Sequence, residues 1–446
     1  MVKAQAASQA PAPVTPRMMA AGAIGNLLEW YDFAAFGFLA TIFAKNFFPA
    51  SDPLVGLLST FGVFAASFMM RPVGAVLFGH VGDRYGRVPA LYASAGLMTL
   101  STVTIGILPT YEMAGVLAPI LLLSMRLLQG ACVGGEYMMS AVFLAEHSPR
   151  RWRGLVTSFT TAGGNGGTLL GSGVAAVTAS LLTPEQLADW GWRIPFLLGI
   201  GLGVFALMLR RSMDAAPPPP AAPAAHWPVV QAFREDWRNI ARASAMTFLL
   251  GAVFYLCFVY LTTYMQQVDG LSASRALQFN TITLLVTLVL CVVFAALSDV
   301  VGRKAVIGLS FLGMLLFSWP LFLLLRSGVE SQVFLGQLGF AVLIAMSGGP
   351  MPCTLVEMFP KDRRCTGVAV SWNLAIGIGG GTAPMIAVYL VDGLHDTMAP
   401  AIYLSVLAAI ALVGLATVTE RSRQPLDPAV PAPVPLARAR VSRRRA

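Results

Sequence analysis

The sequence predicts an all-α membrane protein of about twelve transmembrane helices, arranged as two pseudo-symmetric six-helix bundles. Three observations carry that prediction: an apolar composition, a recurrence of apolar runs near twenty residues, and a pair of loops that repeats in the second half. Of 446 residues, 56% are hydrophobic and only 11% charged, against about 25% charged in soluble globular chains. A soluble chain of this length could not cover itself with so few polar groups. The apolar runs fall at 18–43, 54–80, 88–108, 114–144, 155–181, 194–210, 243–266, 277–298, 304–325, 331–353, 366–390 and 397–419. Most are long enough to cross a hydrocarbon core of about 30 Å as helices.

In chain order, residues 1–17 form a disordered tail of Ala, Pro and Gln without the compact apolar region of a cleaved signal peptide. A first bundle spans 18–210. The stretch 211–242 interrupts the apolar rhythm: Pro217 to Pro220 read as an extended spacer, and Arg234-Glu235-Asp236-Trp237-Arg238 as a short amphipathic segment at the membrane surface. A second bundle spans 243–419, and 420–446 is a basic, proline-containing, disordered tail. The net charge of +9 is an orientation signal. Most of the 30 Lys and Arg fall on one side, with only Lys45, Arg193, Arg275 and Arg326 opposite and Arg126 inside the membrane. That asymmetry puts both termini in the cytoplasm and removes any need for a nucleic-acid partner. The five cysteines and four histidines show neither disulfide nor metal-ligand spacing.

The halves repeat each other. Gly79-His80-Val81-Gly82-Asp83-Arg84-Tyr85-Gly86-Arg87 joins spans two and three, and Ser298-Asp299-Val300-Val301-Gly302-Arg303-Lys304 joins spans eight and nine. Glu146, Pro149 and Gly154 find their echo in Glu357, Pro360 and Gly367. Parallel half-repeats with a site between them are a transporter architecture.

Polar residues inside the runs mark the candidate site. On span one, Asn26 and Glu29 share a face with Phe33, and Asp32 lies at its edge. Glu29 sits roughly 17 Å deep, where a carboxylate must be paired or protonated, so Glu29, Asp32 and Glu136 are proton-coupling candidates. Arg126, Gly130, Val133 and Tyr137 follow one face of span four, flanked by Gln129, with Arg126 about 15 Å deep. Its planar fork suits either a substrate carboxylate or the pairing of Glu29 or Asp32. Asn165, Tyr255, Trp372, Asn373 and the Gly348-Gly349-Pro350 break are further substrate-contact candidates. Gly163, Gly167 and Gly171, with Gly377 and Gly381, predict close helix packing.

The loop Gly-x-x-x-Asp-Arg-x-Gly-Arg resembles the signature of the major facilitator superfamily. Gly25-Asn26-Leu27-Leu28-Glu29-Trp30-Tyr31-Asp32-Phe33, Arg71-Pro72-Val73-Gly74, Arg126-Leu127-Leu128-Gln129-Gly130, Gly134-Gly135-Glu136-Tyr137 and Trp190-Gly191-Trp192-Arg193-Ile194-Pro195-Phe196 narrow the resemblance to its metabolite:proton symporters. Those include proline/betaine, citrate, α-ketoglutarate and shikimate carriers. The resemblance implies a monomeric, multi-pass carrier of the bacterial inner membrane, driven by the proton gradient without a cofactor. It further implies a conformational latch at Asp83, Arg84 and Arg87 with Asp299 and Arg303. The second loop departs from the pattern, with Ala295 and Val300 in place of Gly and a basic residue.

None of the four lysines follows a glycine, so no Walker-type phosphate loop exists for an ATP-driven pump. A membrane enzyme would need a clustered nucleophile or metal set, and a sensor a signalling domain. The expectation is proton-coupled symport of a small organic acid, with uptake of a zwitterionic compatible solute, or efflux, as the alternatives. A single intramembrane arginine and a tail without heptads favour the acid.

Overall fold

The computed structural model describes residues 16–50, 52–74, 77–78, 87–133, 136–211, 228–361 and 363–426. Twelve long helical segments run through them: α1 (Pro16–Phe38), α2 (Pro53–Met69), α3 (Arg87–Ile107), α4 (Leu117–Cys132, resuming as Glu136–His147), α5 (Arg153–Leu181) and α6 (Ile194–Arg211) in the first half. The second half holds α7 (Pro228–Tyr255, carried on by Leu256–Tyr260 and Leu261–Gln267), α8 (Ala273–Val301), α9 (Arg303–Leu325), α10 (Glu330–Gly348 and Met351–Met358), α11 (Arg364–Gly393) and α12 (Ala399–Ala416). Among the described residues, eight segments are by themselves long and apolar enough to cross a membrane. Large apolar side chains such as Leu100, Val293, Leu316 and Val413 stand exposed on the outside of the bundle. In a membrane that surface meets lipid.

Local chemistry sets the helix ends. Asp52 accepts a hydrogen bond from the Leu54 N–H, with Pro53 at the first helical position of α2. Ser272 caps α8 in the same way through the Arg275 N–H. Between α8 and α9 the chain turns at Gly302 with φ of 114°, a backbone that L side chains rarely adopt.

The glycine ladder does what its spacing predicts. A Cβ at Gly163 or Gly167 would collide with the carbonyl oxygens of Ala23 or Leu27, and one at Gly171 would lie 3.0 Å from that of Tyr31. Thus α5 lies backbone to backbone against α1. On its other side α5 packs along α8 of the second half, while α11 packs on α7 and reaches across to α2. The interface between halves is therefore built twice, by α5 with α8 and by α11 with α2.

Two expectations change. The first span is broken at Leu39, giving α1 and a short helix Ala40–Phe47. The charged end of the 211–242 segment is helical and runs into α7 without interruption at 243; the kink sits at Asp236. Arg363 holds that elbow by pairing with Glu235 and, at 3.3 Å, with Asp236.

Candidate functional site

A cavity opens where the two halves meet, and its wall is mostly aromatic. Trp30 of α1, Tyr137 of α4, Phe254 and Tyr255 of α7 and Trp372 of α11 line it, with Thr161, Asn165, Cys291 and Gly348. Trp30 stacks on Tyr255 at 6.2 Å between ring centres and meets Phe254 edge-on at 5.6 Å. Tyr137 stacks on Trp372 at 4.7 Å. The helices that bring these rings together are irregular there. A π-turn over Leu256–Tyr260 follows Tyr255, and another over Ile376–Gly380 follows Trp372 by one turn. Each is a single-turn π-bulge set into the helix beside the cavity residues.

Few polar groups interrupt the wall. Tyr137 donates to the Thr161 hydroxyl at 3.4 Å, and Thr161 donates across the interface to the Gly348 carbonyl at 3.2 Å. That carbonyl lies where α10 breaks ahead of Pro350, a residue without an N–H. The Asn165 amide donates to the Cys291 sulfur at 3.4 Å. The Trp372 indole N–H is buried without a hydrogen-bond partner. Such a donor costs about 1–3 kcal/mol until an acceptor reaches it.

Behind the aromatic wall, the first half holds two buried ion pairs. Arg126 faces Asp32 at 3.7 Å, both inaccessible to solvent. Its guanidinium also donates to Gln129 Oε1 at 2.8 Å and lies 4.5 and 4.4 Å from the ring centres of Phe33 and Phe36. Gln129 in turn donates to Thr102 at 3.1 Å. Glu29 pairs instead with Arg71, at 3.4 Å. The two carboxylates are three residues apart on α1 and point about 60° apart, and each meets a different neighbour, Glu29 the arginine that follows α2 and Asp32 that of α4.

The structure thus gathers Tyr137, Asn165, Tyr255 and Trp372 at one cavity. Arg126 and Gln129 are buried inside the first half, away from its lining. Asn26 turns to α4, where it donates to Ser140 at 3.4 Å, and Asn373 is half-buried outside the lining. Asp83 and Arg84 lie outside the described residues; Arg87 and Glu136 begin α3 and the second part of α4, and their side chains are outside the description. Sequence reasoning missed Arg71 because it was grouped with the inner helix ends. The signal was present: an Arg-Pro pair inside an apolar run.

At one end of the bundle, charged residues of the two halves interlock. Asp299 accepts from the backbone N–H groups of Gly154 and Leu155 at 2.8 and 2.9 Å, sitting on the N-terminus of α5. Arg303 pairs with Asp299 at 2.7 Å and with Glu357 at 3.5 Å. Arg153 pairs with Glu357 at 2.8 Å and Arg364 with Glu146 at 2.6 Å. The segment after α12 crosses this same face. Glu420 accepts from the Lys304 N–H at 2.8 Å, and although burial opposes it, this bond and the Ser422 N–H hold its carboxyl below the usual range. The carbonyl oxygens of Gln424 and Leu426 accept from Arg153 and Arg364 at 3.4 and 3.3 Å. At the opposite end the contact between halves is neutral, Ser172 with Thr281 at 2.8 Å and Asn280 at 3.2 Å.

Residues 22–354 match the model of the Major Facilitator Superfamily. The chain is 32% identical over 433 residues to a proline/betaine transporter of Salmonella typhimurium, covering 93% of this chain and 86% of that protein. It is 34% identical over 411 residues to a putative proline/betaine transporter of Staphylococcus aureus, covering 90% and 87%. Among solved structures it is similar to a proton:xylose symporter, XylE, bound to 6-bromo-6-deoxy-D-glucose, with a TM-score of 0.72 at 20% identity, covering 91% of this chain and 96% of that one.

Proposed function

Since this chain belongs to the major facilitator superfamily and is a multi-pass membrane transporter, we propose that it is a proton-coupled symporter of a zwitterionic compatible solute of the proline/betaine type. The observation that carries this reading is the aromatic wall around Trp30, Tyr137, Phe254, Tyr255 and Trp372. Ring faces attract a quaternary ammonium, and several together recognise one selectively. The relatives at 32–34% identity bear proline/betaine names, which supports the same class.

The organic-acid expectation rested on a single intramembrane arginine and a tail without heptads. Arg126 is instead balanced by Asp32, and Arg71 by Glu29, so the described first-half site is electrically neutral. A net-neutral zwitterion fits that balance better than an anion.

In this proposal Asp32 carries the coupled proton, with Glu29 and Glu136 as the other candidates. Protonating Asp32 removes the charge that faces Arg126, leaving the guanidinium to Gln129 and the Phe33 and Phe36 faces. Arg126 then serves the proton step and the cage holds the solute. The charged face closed by Asp299, Arg303, Arg153 and Glu357 is the cytoplasmic gate, in line with the basic-residue asymmetry that places both termini inside. Two six-helix units, working as a monomer in the inner membrane, rock about the cavity.

Labelled solute in proteoliposomes with an imposed inward proton gradient tests the reading. Glycine betaine or proline should accumulate, a protonophore should abolish it, and excess citrate should not compete. Accumulation of citrate with no uptake of either zwitterion would sink it.

A further inference from the structure

Arg71 is only 2% exposed, at the end of α2 just before Pro72. Three features mark it. First, its ion pair is loose, a property it shares with Arg126 and Asp32 at 3.7 Å: Arg71 meets Glu29 at 3.4 Å, and the Arg71 Nε has no hydrogen-bond acceptor. A guanidinium is built for two parallel bonds to a carboxylate, so this fork is only partly used. Second, it is next to the cavity. The Arg71 guanidinium lies 4.2 Å from the centre of the Phe68 ring, Phe68 meets Tyr255 edge-on at 5.1 Å, and the Tyr255 ring lines the aromatic wall. Third, its partner Glu29 adjoins Trp30, which stacks on Tyr255. One ring therefore separates a cation and an anion from a cage suited to an ammonium.

We infer that Arg71 is the anchor for the substrate carboxylate, taken in exchange for Glu29, which then faces the cationic end held by Trp30 and Tyr255. The inference rests on the zwitterion reading above. The exchange conserves charge: one internal pair opens, and two substrate pairs replace it. It also supplies a reason for an ion pair in apolar surroundings, among the Phe33 and Phe68 rings at 5.0 and 4.2 Å. The pair satisfies both charges while the site is empty, and its loose geometry makes it exchangeable.

The test compares glycine betaine with choline, which keeps the trimethylammonium and lacks the carboxylate, by calorimetry on the purified full chain. Arg71→Lys should weaken glycine betaine binding by about tenfold or more and leave choline within about twofold. The charge-swapped pair Glu29→Arg with Arg71→Glu restores opposite charges, so it should stay folded and monodisperse yet fail to bind glycine betaine. A purely structural ion pair predicts the reverse for that double variant, with binding recovered. Equal losses for the two ligands in Arg71→Lys, or normal glycine betaine affinity in the swap, overturn the anchor. Wild-type protein that binds citrate and no zwitterion overturns the functional reading alone. Loss of that citrate binding in Arg71→Lys would then still support the anchor, and its retention would overturn it.

Discussion

Arg153 of the first half and Glu357 of the second form a buried 2.8 Å ion pair across the interface. The repeat supplies its mirror image: Arg364, the counterpart of Arg153, pairs with Glu146, the counterpart of Glu357. Each half therefore contributes one cation and one anion to the same charged face. In the gate reading proposed above, opening separates both pairs together.

Replacing Glu357 with Gln leaves Arg153 and Arg303 buried without that counter-charge. Breaking such a pair from one side costs on the order of 3–5 kcal/mol. That cost falls on the gate-closed state. Cys353 reports it, since its thiol is buried and lies 3.4 Å from Glu357. With the other four cysteines changed to serine, Glu357→Gln should speed maleimide labelling of Cys353 by about tenfold or more. An unchanged labelling rate would remove Glu357 from the gate.

Asp299 holds α5 by the N–H groups of its second and third residues, so Asp299→Asn keeps the shape and loses the charge facing the helix N-terminus and Arg303. Maximal transport rate should fall several-fold while equilibrium affinity for glycine betaine stays within about twofold. Lost affinity at a normal saturated rate would contradict the latch placement.

Asp32→Asn imitates the protonated carboxyl permanently. Accumulation driven by a pH gradient should disappear, whereas exchange of labelled for unlabelled solute should persist, because exchange need not release the proton. Retained accumulation would move the coupling site to Glu29 or Glu136.

Gly167→Val tests packing rather than chemistry. Its side chain would meet the Leu27 carbonyl of α1, with Trp30 Cβ 3.0 Å from the new Cβ. Overpacking of this kind costs about 1–3 kcal/mol, visible as a lower melting temperature in detergent. Gly166, open on that side, should tolerate alanine without such a loss.

Much of the fold was legible in the sequence because helices in lipid must satisfy their own backbone, so apolar length reports them directly. α5 is rich in Gly, Ser and Thr, and its small-residue ladder located it as much as its hydropathy did. The pairing inside the site was less legible. Depth arithmetic puts Glu29 and Arg126 at one level, but rotation about α1 decides partners, and it turns Asp32 to Arg126. Arg71 was hidden by its sign: counting charges for orientation groups every Arg near a helix end, including one that turns inward to a carboxylate. The crossed gate pairs were present as a repeat, yet a repeat alone does not say whether its members pair within a half or between halves.

The segment that crosses the gate face holds Arg153 and Arg364 through the carbonyl oxygens of Gln424 and Leu426, atoms every residue possesses. Its side chains can therefore drift in evolution at little cost to that grip, while its register cannot. What it spans is a distance: the reach from Glu420, fastened at the start of α9, to one arginine of each half. Beyond the side chains that fasten it, Glu420, Arg421 and Arg423, a chain used in this way behaves as a ruler, tolerant of composition and intolerant of insertion.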